Sequence, residues 1–541
     1  MGLLWVFYVW LACLLVQTKA FMQNSQLISP FSPLFMHNID LIDDGLGLNN
    51  HKNHISARSV NYSTPVPDNR VHDLQILPNN TYYFSFSPKD VLANETGGYS
   101  LFITINTCTQ PALNTSQANY TSVNISAIPQ LTLFVSNVST NEYPGPESPE
   151  YDQISQDLIL GFANVSLYGV NETVYIGVYA PEISDLWMGS WTFEIGVSSV
   201  QPLHSFSTQQ NLFLVDSDQT AALFTTGNLT LSANQSIPDF KFVVATSQLN
   251  FTFASLAHSY CATRSNPSDL TQQNADISLT TRGQGNLPKA QYYLHGLSSN
   301  TSYSLYQTLT QANLSSGGGL IYRPISFETK AYMNCQIVFN LSFCTDVAYA
   351  APANIALMSL DQTAEFYDNL VSSLYTNFTY TLQTYQCQAG PESLFSPLRT
   401  CQDCADAYKR WLCAVNIPRC EDATNNASYL NYVGGNITSR QPLIDEVLKP
   451  GPYKEVLPCI GLCNAIVQNC PVMMEFSCPV QGTYGFDMAY GTPWDQQGVP
   501  VLKCNSPEQV YNVSQGYRSA RAAKMKFLWG LLLLVSFCLV F

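Results

Sequence analysis

The chain has 541 residues and a formal net charge of −15, and only 11% of its residues are charged. This length accommodates two to four domains, and the acidic balance argues against nucleic acid as a partner. Residues 1–20 form an apolar run that ends in a small residue, which predicts a cleaved secretory signal peptide. An uncleaved membrane anchor is the alternative, although the run is shorter than the about 20 residues that usually span a bilayer.

N-glycosylation sequons recur along the whole chain, with 19 N-x-[ST] sites that lack proline at the middle position. At this density, beside a signal peptide, they predict a glycoprotein of the secretory pathway whose surface is solubilised by sugar. The predicted glycosylation sites are Asn61, Asn79, Asn94, Asn114, Asn119, Asn124, Asn137, Asn164, Asn171, Asn228, Asn234, Asn250, Asn300, Asn313, Asn340, Asn377, Asn426, Asn436 and Asn512.

Residues 21–70 are rich in Asn, His, Pro and Ser without periodicity, and we expect a poorly ordered lead-in. Within it, Asp40, Asp43, Asp44 and Gly45 weakly resemble a calcium-binding loop. The ligand spacing and the terminal Glu of an EF-hand are missing, which favours a solvated turn.

Short alternating runs follow, among them TYYFSFSP, YSLFITINTC, ETVYIGVYAP and SWTFEIGVSS. Tyr, Phe, Val, Ile and Thr at a period of two predict antiparallel strands with one buried face. We therefore expect an all-β sandwich or jelly roll over residues 71–205. The order of the runs weakly resembles the jelly-roll modules appended to secreted proteases, which bind or space and do not catalyse.

A second β-sandwich is predicted over residues 206–331. Its last part resembles the end of a fibronectin type III domain, in which a tyrosine hydroxyl ties a corner of the chain back to the backbone. The matching residues are Leu297, Thr301 and Tyr303. The alternative is an ordinary hairpin, and either form serves as a spacer or binding module.

The pattern changes after residue 331, where twelve of the sixteen cysteines lie between Cys335 and Cys504. We predict a mainly α-helical, disulfide-rich domain over residues 332–506. Apolar residues at steps of three and four predict a helix over Ala364–Tyr385. Two further helices carry cysteines: in one, Cys401 and Cys404 share a face with Tyr408 and Trp411 while Cys413 points the opposite way; in the other, Cys459, Cys463 and Cys470 share a face with Ile466.

Fourteen cysteines remain when Cys13 in the signal peptide and Cys538 near the end are set aside, an even number that allows up to seven disulfides. Spacing does not give the connectivity, and Cys108 and Cys261 either pair with each other or are the odd ones of the set. A zinc site of Cys401, Cys404, Cys459 and Cys463 is the alternative, but an oxidising compartment favours disulfides. The predicted disulfide-forming residues are Cys108, Cys261, Cys335, Cys344, Cys387, Cys401, Cys404, Cys413, Cys420, Cys459, Cys463, Cys470, Cys478 and Cys504.

Residues 507–526 are predicted as a polar spacer and residues 527–541 as a hydrophobic tail. The tail is short for a membrane span, and the basic residues just before it would lie on the non-cytoplasmic side if the chain crossed here. This favours a removed signal for a GPI anchor over a short transmembrane tail. The small residues at the candidate attachment sites are Asn512, Ser514, Ser519 and Ala520.

No catalytic motif stands out: the chain has no HExxH, no GxSxG and no glycine-rich phosphate loop. We expect a non-enzyme without cofactor or metal. A glycan-acting enzyme with two carboxylates distant in sequence is an alternative that motifs do not test.

The pattern Cys459-x3-Cys463-x6-Cys470-Pro, which ends in SCP at Cys478, resembles the second half of a frizzled-like cysteine-rich domain. Together with the CxDC helix at Cys401, the dense sequons, the signal peptide and the hydrophobic end, it resembles the fungal "mating-induced death" family. Members of that family are regulatory subunits of the plasma-membrane calcium channel. They are related to the cysteine-rich auxiliary subunits of the animal sodium leak channel.

This resemblance implies an extracellular subunit that docks its cysteine-rich domain on the outer loops of a four-domain, pore-forming calcium channel α subunit of the voltage-gated type. Calcium influx in mating or stress would then depend on it. Family members were first described as stretch-activated channels. Beyond its two terminal hydrophobic segments this chain has no polar-lined spanning helix, so we expect it not to build a pore alone.

Aromatic residues, Met and Arg favour interface cores, which suggests a docking face in the cysteine-rich region. The alternative is that its aromatic residues are buried within the domain itself. The candidate docking residues are Tyr408, Lys409, Arg410, Trp411, Met473, Met474 and Phe476. A different hypothesis for the whole chain is a GPI-anchored cell-wall glycoprotein or adhesin whose β modules bind glycans.

Overall fold

The computed structural model describes residues 63–87, 99–114, 128–229, 237–246, 254–265, 274–283, 286–310, 317–387, 395–396, 398–493 and 503–507. All of them belong to one unit that spans residues 54–117 and 125–541. The predicted signal peptide, most of the lead-in, and the spacer and tail from residue 508 onward lie outside the described residues. So do eight sequons, at Asn61, Asn94, Asn119, Asn124, Asn234, Asn250, Asn313 and Asn512.

The described part of the chain is built mostly of strands. They are β1 (Thr64–Pro65), β2 (Arg70–Ile76), β3 (Asn80–Phe86), β4 (Tyr99–Thr109), β5 (Ala112–Leu113), β6 (Thr132–Ser136), β7 (Ile154–Asp157), β8 (Phe162–Val170), β9 (Val174–Ala180), β10 (Trp187–Met188), β11 (Trp191–Ser198), β12 (His204–Ser207), β13 (Leu212–Ser217), β14 (Ala221–Thr226), β15 (Phe240–Thr246), β16 (Ala275–Thr280), β17 (Lys289–His295), β18 (Ser302–Thr310), β19 (Gly319–Tyr322), β20 (Ile325–Glu328), β21 (Cys335–Val338), β22 (Tyr349–Pro352), β23 (Arg419–Glu421), β24 (Leu430–Val433) and β25 (Tyr453–Val456). The α-helices are α1 (Tyr260–Ser265), α2 (Leu360–Leu382), α3 (Cys401–Asn416), α4 (Ile460–Asn469) and α5 (Tyr484–Ala489), with a π-helical turn at Ile444–Leu448 and 3₁₀ turns at Glu150–Asp152 and Val472–Met474.

The first module is a β-sandwich of two sheets, with strand orders β1-β3-β9-β6-β7 and β2-β11-β4-β8. Its neighbouring strands run antiparallel except for β1, which is parallel to β3. In register, Phe84 pairs with Ile176 in one sheet and Ile105 with Ile195 in the other, and all four side chains are buried in the core between the sheets. The alternating pattern arises because every second side chain of each strand points into this core.

One glycine allows a loop to lie directly against the first sheet. A Cβ on Gly177 in β9 would lie 1.9 Å from the carbonyl oxygen of Pro144. Any side chain here would therefore force the loop away from the strand.

The second module is also a two-sheet sandwich. One sheet has the order β12-β19-β18-β15, with β20 also paired to β18, and the other has the order β13-β14-β17-β16. Phe224, Tyr292 and Phe327 are among the side chains buried between the sheets. The predicted tyrosine corner is present, because the backbone N–H of Ser298 donates a hydrogen bond of 2.8 Å to the Tyr303 hydroxyl.

The prediction of a mainly α-helical C-terminal domain is wrong. The described structure has 38% strand and 21% helix, and strands run through the cysteine-rich region as well. There β21 pairs with β22, and β25 lies between β23 and β24. Every residue of β21 and β22 is buried, so these strands show no alternation in the sequence. At four residues each, they are also too short for a period of two to be recognised.

The two long helices of this region begin at capping boxes. The backbone N–H of Gln362 donates to the Ser359 hydroxyl at 3.3 Å, and the backbone N–H of Ser359 donates to the Gln362 side chain at 2.9 Å. Thr400 and Asp403 make the same reciprocal pair at the start of α3. The capping box explains why α2 begins at Leu360, four residues before the predicted start. The helix ends at Leu382, three residues before the predicted end.

Candidate functional site

Seven disulfides join all fourteen of the described cysteines. They are Cys108–Cys261, Cys335–Cys420, Cys344–Cys413, Cys387–Cys401, Cys404–Cys470, Cys459–Cys504 and Cys463–Cys478. The four cysteines of the alternative zinc site fall in four different bonds, so none of them is a free thiolate for a metal. Six of the seven bonds lie in the cysteine-rich region and hold its helices and short strands together.

Helix α3 is the centre of this region. Cys404 on its first turns is bonded to Cys470, which ends α4, and Cys413 on the opposite side is bonded to Cys344. The helix is therefore held on two sides, as the positions of its cysteines in the sequence predict. Cys401, at its first residue, adds a third bond to Cys387, which follows α2.

Aromatic side chains fill the space between α2, α3 and the chain after α4. The Tyr408 ring stacks on Phe378, with ring centroids 3.7 Å apart and planes 10° apart. The centroids of Trp411 and Phe476 lie 5.4 Å and 5.9 Å from that of Tyr408. The Trp411 indole N–H donates to the hydroxyl of Tyr490 at 2.8 Å. These three candidate docking residues are half-buried and serve to pack the region itself.

The other candidate docking residues differ in exposure. Lys409 lies over the Phe343 ring, with Nζ 4.5 Å from its centroid, and Arg410 donates to the backbone oxygen of Asp406 at 3.4 Å. Met474 is half-buried against the aromatic cluster, whereas Met473 is 83% exposed. Of the seven residues, Met473 is the one that the structure leaves largely uncovered.

Further exposed apolar side chains lie near Met473 in the sequence and were not predicted as docking residues. Val472 is 90% exposed and Tyr484 is 81% exposed. Val467, Val480 and Met488 are exposed as well. One feature of the sequence marks the stretch in which they lie: no Lys, Arg or His occurs between Lys454 and Lys503.

Buried charges join the second sandwich to the cysteine-rich region. Asp216 on β13 accepts from Lys330 Nζ at 3.1 Å and pairs with Arg419 Nη2 at 2.9 Å, and Lys330 also pairs with Glu421 at 3.2 Å. Burial alone would raise the pKa of Asp216, but Arg419, Lys330 and two backbone N–H groups outweigh it and hold that pKa below its ordinary value. The same carboxylates raise the pKa of Lys330. This cluster was not predicted.

A second buried cluster joins the first sandwich to the second. The Glu194 carboxylate on β11 lies 3.0 Å from His204 Nε2 and also binds the Arg264 guanidinium on α1. Burial raises the pKa of Glu194, but its hydrogen bond and charge interaction with His204, together with other partners, lower it below the ordinary value. Among the described residues, Glu194 groups with Cys108 and Cys261 as a set of metal-binding atom types, but the two sulfurs are bonded to each other.

The described sequons lie where a glycan can reach them. Ten asparagines are exposed: Asn79, Asn137, Asn164, Asn171, Asn228, Asn300, Asn340, Asn377, Asn426 and Asn436. Asn79, Asn300 and Asn340 have positive φ, and the first two lie in turns. Asn114 is half-buried and donates to the backbone oxygen of Asp185 at 3.2 Å, so it is the least accessible of the described sites.

Among the described helices, none combines the length and the apolar character that crossing a membrane requires.

A protein-family model described as "Mid1: Stretch-activated Ca2+-permeable channel component" matches residues 100–510. The chain is 43% identical over 317 residues to the stretch-activated cation channel yam8 of Schizosaccharomyces pombe, an alignment that covers 58% of this chain and 64% of that protein. It is 31% identical over 348 residues to the stretch-activated cation channel MID1 of Saccharomyces cerevisiae, with 58% and 62% covered. For MID1 of Cryptococcus neoformans the values are 25% over 426 residues, with 63% and 66% covered. The alignments thus span slightly less than two thirds of each relative.

Proposed function

The chain belongs to the Mid1 family of stretch-activated Ca²⁺-permeable channel components, and from this premise we propose that it is a non-enzymatic, extracellular regulatory subunit of a plasma-membrane calcium channel. The resemblance to the fungal "mating-induced death" family is thereby confirmed. The related proteins are named as channels and not as enzymes. In this proposal, the partner is a four-domain, pore-forming α subunit of the voltage-gated type, and calcium influx in mating or stress depends on the complex.

The observation that carries the proposal is the family match over residues 100–510, which covers the first sandwich from β4 onward, the second sandwich and the cysteine-rich region. Seven disulfides suit an oxidising compartment, and exposed sequons suit a surface that carries N-glycans. Both features favour an extracellular position. We propose that the protein lies on the outer face of the plasma membrane, where the channel partner and a GPI anchor hold it.

The test is affinity purification of the tagged protein from membranes in mild detergent, with calcium uptake measured in cells that lack it. We expect recovery of a multi-span channel polypeptide and a loss of stimulated uptake that the wild-type gene restores. Recovery of wall glycans and wall proteins alone, with normal uptake in the deletion, would contradict the proposal and support the adhesin hypothesis. Product formation from a glycan by the purified protein would support the enzyme hypothesis instead.

A further inference from the structure

Sequons are absent from one long stretch of the chain. None occurs between Asn436 and Asn512, a gap of 76 residues. The next longest gap after Asn61, from Asn171 to Asn228, is 57 residues. An N-glycan is bulky and covers the protein surface around its attachment site. A stretch without sequons therefore leaves its own surface free of attached sugar.

The same stretch presents the exposed apolar side chains found after Lys454. We call the surface that carries these side chains the bare surface. Its six residues are Val467, Val472, Met473, Val480, Tyr484 and Met488. Tyr484 and Met488 are four residues apart on α5 and so lie on one side of that helix. A group of uncovered apolar side chains on a secreted protein is typical of an interaction site.

Two disulfides and one buried side chain restrain the bare surface. The Cys463–Cys478 disulfide ties α4 to the chain before α5, and Cys404–Cys470 ties the end of α4 to α3. Phe486 of α5 is buried beside Cys463. A preformed surface loses little conformational entropy when it binds, which favours affinity for a partner.

The charges of this stretch limit the class of partner that can bind to the bare surface. Between Lys454 and Lys503 the chain has no Lys, Arg or His. Glu475 and Asp487 in this stretch are exposed, whereas Glu455 is buried and paired with Arg440. Membrane-surface segments characteristically carry basic residues that meet anionic headgroups, and none is present here. A second copy of this chain would bring like charges together. The complementary surface is that of another protein, apolar at its centre and basic at its rim.

We propose that the bare surface is the face through which this protein binds its channel partner, at an apolar, basic-rimmed patch of the partner's extracellular surface. This proposal rests on the proposed function and adds the binding face and its chemistry. It moves the centre of the interface from the packed residues Tyr408 and Trp411 to Val472 and Met473. Exposed Met and Tyr with few charges match the composition of interface cores.

A single substitution can place a glycan on this face. Glu475→Asn creates the sequon Asn-Phe-Ser with Ser477. Glu475 is exposed and has a φ of 56°, a conformation that Asn adopts readily. The matched control is Asp276→Asn, which creates Asn-Ile-Ser on the exposed strand β16 of the second sandwich. Glu475→Asn with Ser477→Ala removes the same charge without adding a sugar.

Each variant is tagged, checked for a glycosidase-sensitive gel shift and for its amount at the cell surface, and then purified with its channel polypeptide in mild detergent. We expect glycosylated Glu475→Asn to recover at least tenfold less channel polypeptide than the wild type at equal surface level. The Asp276→Asn variant is expected to recover wild-type amounts, and the Glu475→Asn, Ser477→Ala variant is expected to recover several times more channel polypeptide than glycosylated Glu475→Asn. Wild-type recovery by glycosylated Glu475→Asn would overturn the proposal.

A second pair of variants tests the same face without adding a glycan. Met473→Asp is expected to reduce channel recovery to a similar degree, whereas Val200→Asp, at a 70% exposed position after the first sandwich, is expected to leave it unchanged. Equal recovery by both variants would overturn the proposal. So would a Met473→Asp defect confined to binding of neutral or anionic phospholipid vesicles, or to dimer formation. If the wild type recovers no channel polypeptide, the proposed function fails, and the proposal made here fails with it.

Discussion

Among the described disulfides, Cys108–Cys261 closes the longest loop, with a sequence separation of 153 residues. Chain-entropy theory gives a loop of this length about 17 cal/mol/K of lost unfolded-state entropy, or about 5 kcal/mol at 25 °C. No other cysteine lies inside the loop, so other disulfides do not shorten it. Replacing both cysteines with Ala should therefore lower the free energy of unfolding by an amount approaching this value, measured by urea denaturation followed by circular dichroism.

The Cys463–Cys478 disulfide supplies the internal comparison, because its separation is 15 residues. The same theory gives it about 3 kcal/mol. Each double variant removes a complete bond and leaves no free thiol, so the two losses can be compared directly. A loss for the long loop that is equal to or smaller than the loss for the short loop would refute the entropic reasoning.

The remaining predictions concern a buried ion cluster and a tyrosine corner. Asp216→Asn leaves Lys330 and Arg419 buried without their shared carboxylate and is expected to cost about 3 to 5 kcal/mol, measured by the same denaturation; a cost below about 1 kcal/mol would contradict it. The folded-state pKa of Asp216 lies below its ordinary value. Its contribution to the free energy of unfolding is therefore present above about pH 4 and is lost as pH falls through the folded-state pKa. The melting temperature of Asp216→Asn should accordingly fall less than that of the wild type between pH 5 and 3. Tyr303→Phe leaves the backbone N–H of Ser298 without its acceptor and is expected to cost about 1 kcal/mol by urea denaturation, with no change in the far-ultraviolet spectrum; no measurable cost would show that the bond adds nothing.

The features that local sequence predicts are those whose cause is local. The helix at Leu360–Leu382 follows from apolar residues at steps of three and four. The corner at Tyr303 follows from a short motif that forms its own hydrogen bond. The interpretation of the C-terminal region as mainly helical failed at β21 and β22, because complete burial removes the alternation that identifies a strand.

Long-range partners left no comparable signal. Asp216 and Arg419 meet across 203 residues of chain, and nothing near either residue marks the other. Disulfide pairing is similar, since Cys404 bonds to Cys470 past several nearer cysteines. In the sequence, residue type pointed to the aromatic side chains of Tyr408 and Trp411 as docking residues. In the structure, the side chains that are exposed are those of Met473, which was among the candidates, and Val472, which was not. Residue type alone does not separate an aromatic side chain that packs a domain from one that meets a partner.

Buried contacts link the two sandwiches and the cysteine-rich region, so binding at the bare surface also concerns the sandwiches. Leu160 of the first sandwich packs against a core cluster that includes Tyr306 of the second, and Leu223 of the second shares a buried core with Tyr453 of the cysteine-rich region. A disulfide reinforces the first junction, and the Asp216 cluster reinforces the second. Because close-packed interiors transmit strain, we expect a partner bound at the bare surface to be coupled mechanically to both sandwiches. A displacement of the sandwiches would in turn reach the partner through covalent and buried ionic contacts.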